Sequence, residues 1–155
     1  VTAAHSREGL PLGGGYGPAQ AAKEALTRDL SVELAPQGIR VVGLRPYAMP
    51  ETPTIKDAFE PRREASGMTW EQWQEMLASR THPRRLMTLG EMANVAVFMA
   101  SDKASGMTGT TVNLTMGRLS DYRSGIAHPI VIGRSPVWGR CHPADAGRMR
   151  ASRER

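Results

Sequence analysis

The chain has 155 residues, enough for one domain with its own hydrophobic core. Its formal net charge is +5, but residues 1–117 hold 12 Lys and Arg against 12 Asp and Glu, whereas residues 118–155 hold 8 Arg against 3 Asp and Glu. The single cysteine, Cys141, excludes an internal disulfide and a cysteine metal cluster, and we expect no metal. No run approaches the roughly 18 apolar residues of a membrane span. We therefore expect a soluble protein of a reducing, cytoplasmic compartment.

The chain begins at Val1 without an initiator methionine, and its first residues have the character of the end of a strand, so we interpret it as a fragment. Residues 18–35 are predicted to form a helix, because Pro18 suits a first helical position and Pro-Gln-Gly at 36–38 ends it. Apolar residues recur along this helix at helical spacing, namely Ala19, Ala22, Ala25, Leu26 and Leu30.

Residues 39–45 form a short apolar run with little alternation, which is typical of a strand buried on both faces of a parallel sheet. Residues 46–61 contain four prolines and little periodicity. This segment is predicted to be a long loop that forms one wall of a cleft. Helix, tight turn and buried strand together indicate an α/β fold.

Two capping boxes predict further helix starts, one at Thr69 with Gln72 and one at Thr88 with Glu91. The first helix is amphipathic, with apolar residues Trp70, Trp73 and Leu77, which we interpret as packing residues. The second helix is predicted to end near residues 101–102, and its apolar stripe consists of Met92, Val95, Ala96 and Met99. Residues 111–115 are predicted to form the last strand.

Residues 118–155 are rich in arginine, glycine, proline and small residues. We expect a mostly disordered basic tail, because its small apolar area cannot offset the entropy of ordering the chain. Its arginines do not alternate with aromatic residues, and Trp138 alone is placed to stack on a base. A solvated tail is therefore favoured over a nucleic-acid site, which stays an alternative.

Several segments of residues 1–117 occur in a specific order: Ala22-Lys23, then residues 33–41, 91–94, 98–102, 104–109 and 112–117. In this order they resemble the C-terminal half of a short-chain dehydrogenase/reductase. The resemblance implies half of a Rossmann-like, doubly wound parallel sheet over residues 1–117. It also implies an NAD or NADP cofactor and hydride transfer to or from an alcohol or carbonyl compound. The glycines at 13–15 do not match the spacing of the family's phosphate-binding turn.

The family places its catalytic tyrosine four residues before a lysine, so that the ammonium lies near the phenol on one helix face and lowers its pKa. Counting back from Lys23, that position is Ala19, and the family's serine, thirteen residues earlier, is Ser6. Counting instead from Tyr16, the serine position is Ala3. The first register keeps Ser6 and Lys23, and we prefer it. Tyr16, expected in the loop before the helix, is the candidate substitute for the missing tyrosine.

The resemblance also implies cofactor contacts from three residues: Lys23 to the nicotinamide ribose, and Pro46 and Thr52 in the segment after the strand. Tyr47 replaces a family glycine there, and its side chain is expected to narrow the nicotinamide end of the cleft. His5, beside Ser6, is a candidate proton donor, although a lone histidine at a strand end is more often structural.

The leading interpretation is therefore an NAD(P)-dependent oxidoreductase of this type, acting on a small alcohol or carbonyl substrate. The fragment itself is expected to be inactive. The alternatives are a catalytically silent relative that serves binding or assembly, and a nucleic-acid-associated protein acting through the tail. Since the active-site helix of this family commonly packs against its mate, the resemblance further implies a homo-oligomer formed through helix 18–35.

Overall fold

The computed structural model describes residues 1–120. Four helices and two strands follow a short 3₁₀ turn at Ala4–Ser6, and two further 3₁₀ turns, Ala35–Gln37 and Asp102–Ala104, follow the first and last of the helices. The helices and strands are α1 (Tyr16–Leu34), β1 (Val42–Pro46), α2 (Pro53–Ser66), α3 (Trp70–Ala78), α4 (Leu89–Ala100) and β2 (Thr110–Leu114).

Strands β1 and β2 pair in parallel, in a register that runs from Val42 opposite Thr110 to Pro46 opposite Leu114. Three helices connect them, as a parallel pair requires a long crossover. Strand β1 begins three residues after its predicted start, and β2 is displaced by one residue from its predicted range. The predicted α/β class with a parallel sheet is confirmed. At its start the chain makes a single backbone contact with β1, from the amide of Thr2 to the carbonyl of Leu44 at 2.8 Å, without forming a strand of its own.

Helix α1 begins at Tyr16, with Gly15 as its N-cap, rather than at Pro18 as predicted. Pro18 occupies the first turn instead, where a missing N–H costs no intrahelical hydrogen bond. The expectation that Tyr16 lies in a loop before the helix is therefore wrong. The helix is followed by the turn at 35–37 and by Gly38, whose positive φ of 76° suits glycine.

The prediction of a loop throughout residues 46–61 is wrong, because α2 begins at Pro53. The loop was predicted from its prolines, but two of them are compatible with this helix. Pro53 lies at the first position of the helix, where proline favours helix formation, and Pro61 is accommodated inside the helix. Gly67, with φ 67°, ends α2. Residues 47–52 are irregular apart from a turn, and residues 47–49 line a cavity, as described below.

The two predicted capping boxes are confirmed at the N-termini of α3 and α4. The hydroxyl of Thr69 accepts a hydrogen bond from the amide of Gln72, whose side chain accepts one in return from the Thr69 amide. Thr88 and Glu91 form the same reciprocal pair. Helix α4 ends at Ala100, close to the predicted position.

The main hydrophobic core lies between the segment that follows β1 and the helices α2 and α3. Its buried members are Ala4, Tyr47, Ala48, Phe59, Trp73 and Leu77. The rings of Phe59 and Trp73 pack at 5.9 Å between centroids, and Trp70 lies against the same cluster. The interpretation of both tryptophans as packing residues is therefore confirmed.

Residues Arg118 and Leu119, which the sequence assigned to the tail, contact the domain. Leu119 packs against the core, and Arg118 forms an ion pair with Glu8 at 2.8 Å. The predicted boundary after residue 117, the expected disorder and the alternative of nucleic-acid binding concern mainly residues 121–155, which lie outside the described part of the chain. Among residues 1–120, no helix is both long and apolar enough to cross a membrane.

Candidate active site

A cavity of about 310 Å³ opens at the carboxyl end of β1. In open α/β sheets this is the edge where ligands bind. We call it the Tyr16 pocket. Its lining comes from the chain before α1, the start of α1, the segment after β1 and one face of α2, and includes Ala3, His5, Tyr16, residues 46–49, Ile55, Phe59 and Arg62. Most of its surface is apolar, so a bound ligand would lose much of its water there.

Tyr16 contributes the phenol of this pocket. Its ring lies edge-on to that of His5 at 5.7 Å, and 42% of the residue is exposed. Burial raises the pKa of Tyr16 above its ordinary value of 10. The phenol is therefore protonated at neutral pH and can donate a proton or hydrogen bond to an oxygen in the pocket.

Lys23 does not share the Tyr16 pocket, since it lies on the exposed side of α1. Seven residues separate it from Tyr16, which is about 10 Å along a helix axis. Four residues after Tyr16 stands Gln20, which is 8% exposed and was not considered in the sequence analysis. Counting four residues forward from Tyr16 would have identified it. An amide at this position can form hydrogen bonds but cannot lower the pKa of a neighbouring phenol through charge.

Ser6 is likewise outside the Tyr16 pocket, because its hydroxyl is engaged beneath α1. It donates a hydrogen bond to Glu24 Oε1 at 2.5 Å and accepts one from Arg45 Nε at 3.1 Å. Ala3, thirteen residues before Tyr16, lines the pocket instead, without a hydroxyl. The structure therefore brings Tyr16 and Ala3 together around the cavity, and it does not bring Ser6 or Lys23 to it.

Glu24 and Arg45 form a buried ion pair that the sequence analysis missed. Two hydrogen bonds of 2.7 Å join the guanidinium to both carboxylate oxygens, and the two residues are 6% and 2% exposed. The hydroxyl of Thr2 donates a third bond to Glu24 at 3.1 Å. Burial alone raises the pKa of Glu24, but the hydrogen bonds from Arg45, Ser6 and Thr2 and the charge of Arg45 outweigh it and lower the pKa to about 2.

His5 lies at the boundary between the Tyr16 pocket and the neighbouring loop. Burial lowers its pKa, and so do the charges of Arg118 and Arg62, although Glu8 opposes them. His5 is therefore neutral at physiological pH. The neutral ring can accept a proton, but because its pKa is lowered it holds that proton less tightly than an ordinary histidine does.

The cofactor contacts implied by the resemblance are met only in part. Pro46 lines the pocket. Thr52 caps α2, and its hydroxyl donates to the carbonyl of Met49 at 2.9 Å. Lys23 points away on the exposed side of α1. Of the three residues, Pro46 alone lines the pocket, and counted four residues forward from Tyr16 the lysine position holds the neutral Gln20.

Comparison with known proteins identifies the family. A family model described as enoyl-(acyl carrier protein) reductase matches residues 1–118. The chain is 30% identical over 110 residues to (+)-borneol dehydrogenase 2 of Salvia officinalis, covering 67% of this chain and 38% of that protein. It is 39% identical over 102 residues to galactitol 2-dehydrogenase of Rhizobium johnstonii, covering 66% of this chain and 36% of that protein.

A solved structure shares the fold. The sorbitol-6-phosphate 2-dehydrogenase of Erwinia amylovora superposes with a TM-score of 0.70 at 27% identity, over 77% of this chain and 46% of that one. The described domain is thus a partial Rossmann-like fold, as the sequence resemblance implied. The chain spans less than half the length of the relatives it matches here.

Proposed function

The chain belongs to the short-chain dehydrogenase/reductase family, and on that premise we propose that it acts as part of an NAD(P)-dependent oxidoreductase for a small alcohol or carbonyl substrate. The observation that carries this proposal is the Tyr16 pocket, which combines a protonated phenol with apolar walls at the carboxyl end of β1. The names of the relatives, which include dehydrogenases of borneol and galactitol, support the same reaction type.

Within this proposal, Tyr16 holds the proton that a carbonyl oxygen receives when it becomes an alcohol. Burial raises the pKa of Tyr16 above its ordinary value, so the phenol is protonated at neutral pH and can donate its proton to the carbonyl oxygen. A bound nicotinamide would supply the hydride. The apolar side chains of Ile55 and Phe59 exclude water from the reacting carbon.

A second candidate function is that of a catalytically silent relative that uses the fold for binding or assembly. The observation that favours it is the pair of positions counted from Tyr16, where the family's serine position holds Ala3 and its lysine position holds Gln20. Ala3 has no hydroxyl to polarise a carbonyl, and Gln20 carries no positive charge to lower the pKa of a phenol.

Steady-state NAD(P)H oxidation by the purified whole protein, measured with a panel of aldehydes and ketones, separates these possibilities. Under the first proposal, Tyr16→Phe lowers kcat by about 100-fold or more, because it removes the proton donor. Gln20→Lys raises the rate by placing an ammonium beside the phenol. No consumption of NADH or NADPH by either the native protein or Gln20→Lys would contradict the proposed activity.

Lys23→Ala is the matched variant on the same helix. If Tyr16 is the proton donor, Lys23→Ala changes kcat little. If Ser6 and Lys23 are the catalytic residues, as their spacing along the chain predicts, Lys23→Ala abolishes turnover. Loss of turnover in Lys23→Ala together with full activity in Tyr16→Phe would reject the role assigned to Tyr16.

The exposed side of α1 supports a further part of the proposal, assembly into a homo-oligomer. Leu26 and Val32 are 54% and 76% exposed there, and Ala19 and Ala22 allow another helix to approach closely. Sedimentation of the Leu26→Glu variant tests this, since a buried carboxylate at the contact shifts an oligomer toward monomer. A native protein that sediments as a monomer would contradict the assembly.

A further inference from the structure

A second cavity, of about 210 Å³, lies beside the Tyr16 pocket. The two share five lining residues, His5, Leu10, Tyr47, Phe59 and Arg62, so they form adjoining spaces with common walls. The second cavity extends toward α3 and is also lined by Trp73, Arg80 and Arg118. Because of its three guanidinium groups, we call it the arginine cavity.

Three buried hydrogen-bond donors on the lining residues of this cavity have no acceptor among residues 1–120, although the guanidinium of Arg80 lies within hydrogen-bonding reach of the Tyr47 oxygen. They are the hydroxyl of Tyr47, Nε1 of Trp73 and Nε of Arg62. Tyr47 and Trp73 are only 5% and 8% exposed, so bulk water does not readily satisfy them. A buried donor without an acceptor is unfavourable, because it has lost its hydrogen bonds to water and gained none in return. All three atoms can donate, and the two nitrogens can only donate, so the group that would satisfy them is an acceptor.

The charges around the cavity point to the same kind of ligand. Arg118 is balanced by Glu8, to which it donates at 2.8 and 3.0 Å, while its guanidinium lies 4.7 Å from the centre of the Tyr47 ring. Within the described part of the chain, Arg62 and Arg80 form no ion pair with a carboxylate. The cavity therefore carries an excess of positive charge together with unused hydrogen-bond donors.

We propose that the arginine cavity binds the anionic group, a carboxylate or a phosphoryl group, of a substrate whose reacting carbon lies in the Tyr16 pocket. The walls common to the two cavities place the two ends of one small molecule side by side. The arginine cavity is lined by α2, α3, Tyr47 after β1, the chain before α1, and Arg80 and Arg118. This assignment to a substrate rests on the proposed oxidoreductase function, whereas anion binding itself does not.

Anion binding is measured on the whole chain without any cofactor. Inorganic phosphate and acetate are titrated separately, at constant ionic strength, while the indole N–H signals are followed by two-dimensional NMR, with Trp73→Phe to assign the signal of Trp73. A saturable shift of that signal is expected, and the tighter of the two anions identifies the phosphoryl or the carboxylate group. A Trp73 signal that moves with neither anion overturns the inference.

Variants then test whether the named residues form the site. Arg80→Gln, in the exposed turn after α3, and Tyr47→Phe each weaken binding, and the combination of Arg80→Gln with Arg62→Gln weakens it about tenfold or more. Arg28→Gln, on the exposed side of α1, changes the net charge equally and leaves the affinity unchanged. Equal weakening by Arg28→Gln, or none by the cavity variants with unaltered circular dichroism, overturns the inference.

Turnover separates this inference from the proposed function. If the whole protein reduces carbonyl compounds, those bearing a carboxylate or phosphate should have a lower KM than their neutral analogues, and Arg80→Gln should remove that difference. Anion binding without any turnover supports the site and contradicts the oxidoreductase proposal. Turnover with no preference for anionic substrates supports the oxidoreductase and overturns the assignment of the anion to its substrate.

Discussion

Two clusters of buried polar groups lie close together in this domain and differ in how completely they are satisfied. Beneath α1, the carboxylate of Glu24 receives bonds from Arg45, Ser6 and Thr2, and its charge is balanced by Arg45. In the arginine cavity, Tyr47 and Trp73 retain unused donors beside uncompensated positive charge. A buried network that satisfies itself stabilises the fold, whereas one that lacks acceptors is suited to bind a ligand that supplies them.

The largest effect that tests this contrast is expected from breaking the Glu24–Arg45 pair. Glu24→Gln removes the carboxylate that pairs with the buried guanidinium of Arg45 and should lower the free energy of unfolding by about 3 to 5 kcal/mol. The double variant Glu24→Leu with Arg45→Met, which removes both charges, should lose less than the single variant. Urea denaturation measures both. A loss below about 1 kcal/mol in Glu24→Gln, the range of an exposed ion pair, would show that the pair does not stabilise the fold.

A smaller effect is expected from acid. The pKa of Glu24 is about 2 in the folded protein against an ordinary value of 4.5. Because the folded value is the lower one, the stabilisation is complete above pH 4.5 and is lost as the pH falls toward 2. The pKa of Glu91 is also lowered to about 2, chiefly by its hydrogen bond from Arg85, so Glu91 adds to the loss of stability at low pH.

The contribution of Glu24 is isolated by comparison with Glu24→Gln. The difference in unfolding free energy between the native protein and this variant should shrink as the pH is lowered from 5 to 2.5, as measured by urea denaturation at each pH. Glu91→Gln is the control for the second carboxylate. A difference that stays constant over this range would contradict the lowered pKa of Glu24.

The smallest effect on stability is expected in the arginine cavity. Tyr47→Phe removes a buried hydroxyl whose proton has no acceptor and whose oxygen lies within reach of the Arg80 guanidinium, so the free energy of unfolding should change by less than about 1 kcal/mol. The same substitution should weaken anion binding. Thermal unfolding measures the first effect, and a decrease in stability of about 1 kcal/mol or more would show that the hydroxyl is satisfied within the folded protein.

Local signals in the sequence predicted much of the secondary structure. The capping boxes at Thr69 and Thr88 were recognisable because both partners lie within one helical turn. The two strands were predicted to within a few residues from apolar runs next to turn residues. Helix α2 was missed because proline was read only as a helix breaker, although Pro53 begins the helix.

The apolar pattern of α1 does not identify the face of the helix that is buried in the structure. Ala19, Ala22 and Leu26 of its apolar stripe are exposed, whereas Gln20, Glu24 and Ser31 are buried. Apolar periodicity normally indicates the buried face. It failed here because the strand beneath the helix carries Arg45, which makes a carboxylate the favourable partner.

By itself, the sequence determined the α/β class, the order of most elements and the family, because these depend on short-range patterns and on motifs in a fixed order. Only the tertiary structure decided the roles of individual side chains. Ser6 and Lys23 have the spacing of an active site, yet Ser6 bonds to Arg45, 39 positions away, and Lys23 lies outside the cavity that Tyr16 lines. The path of β1 beneath α1 sets these contacts, and spacing along the chain does not specify that path.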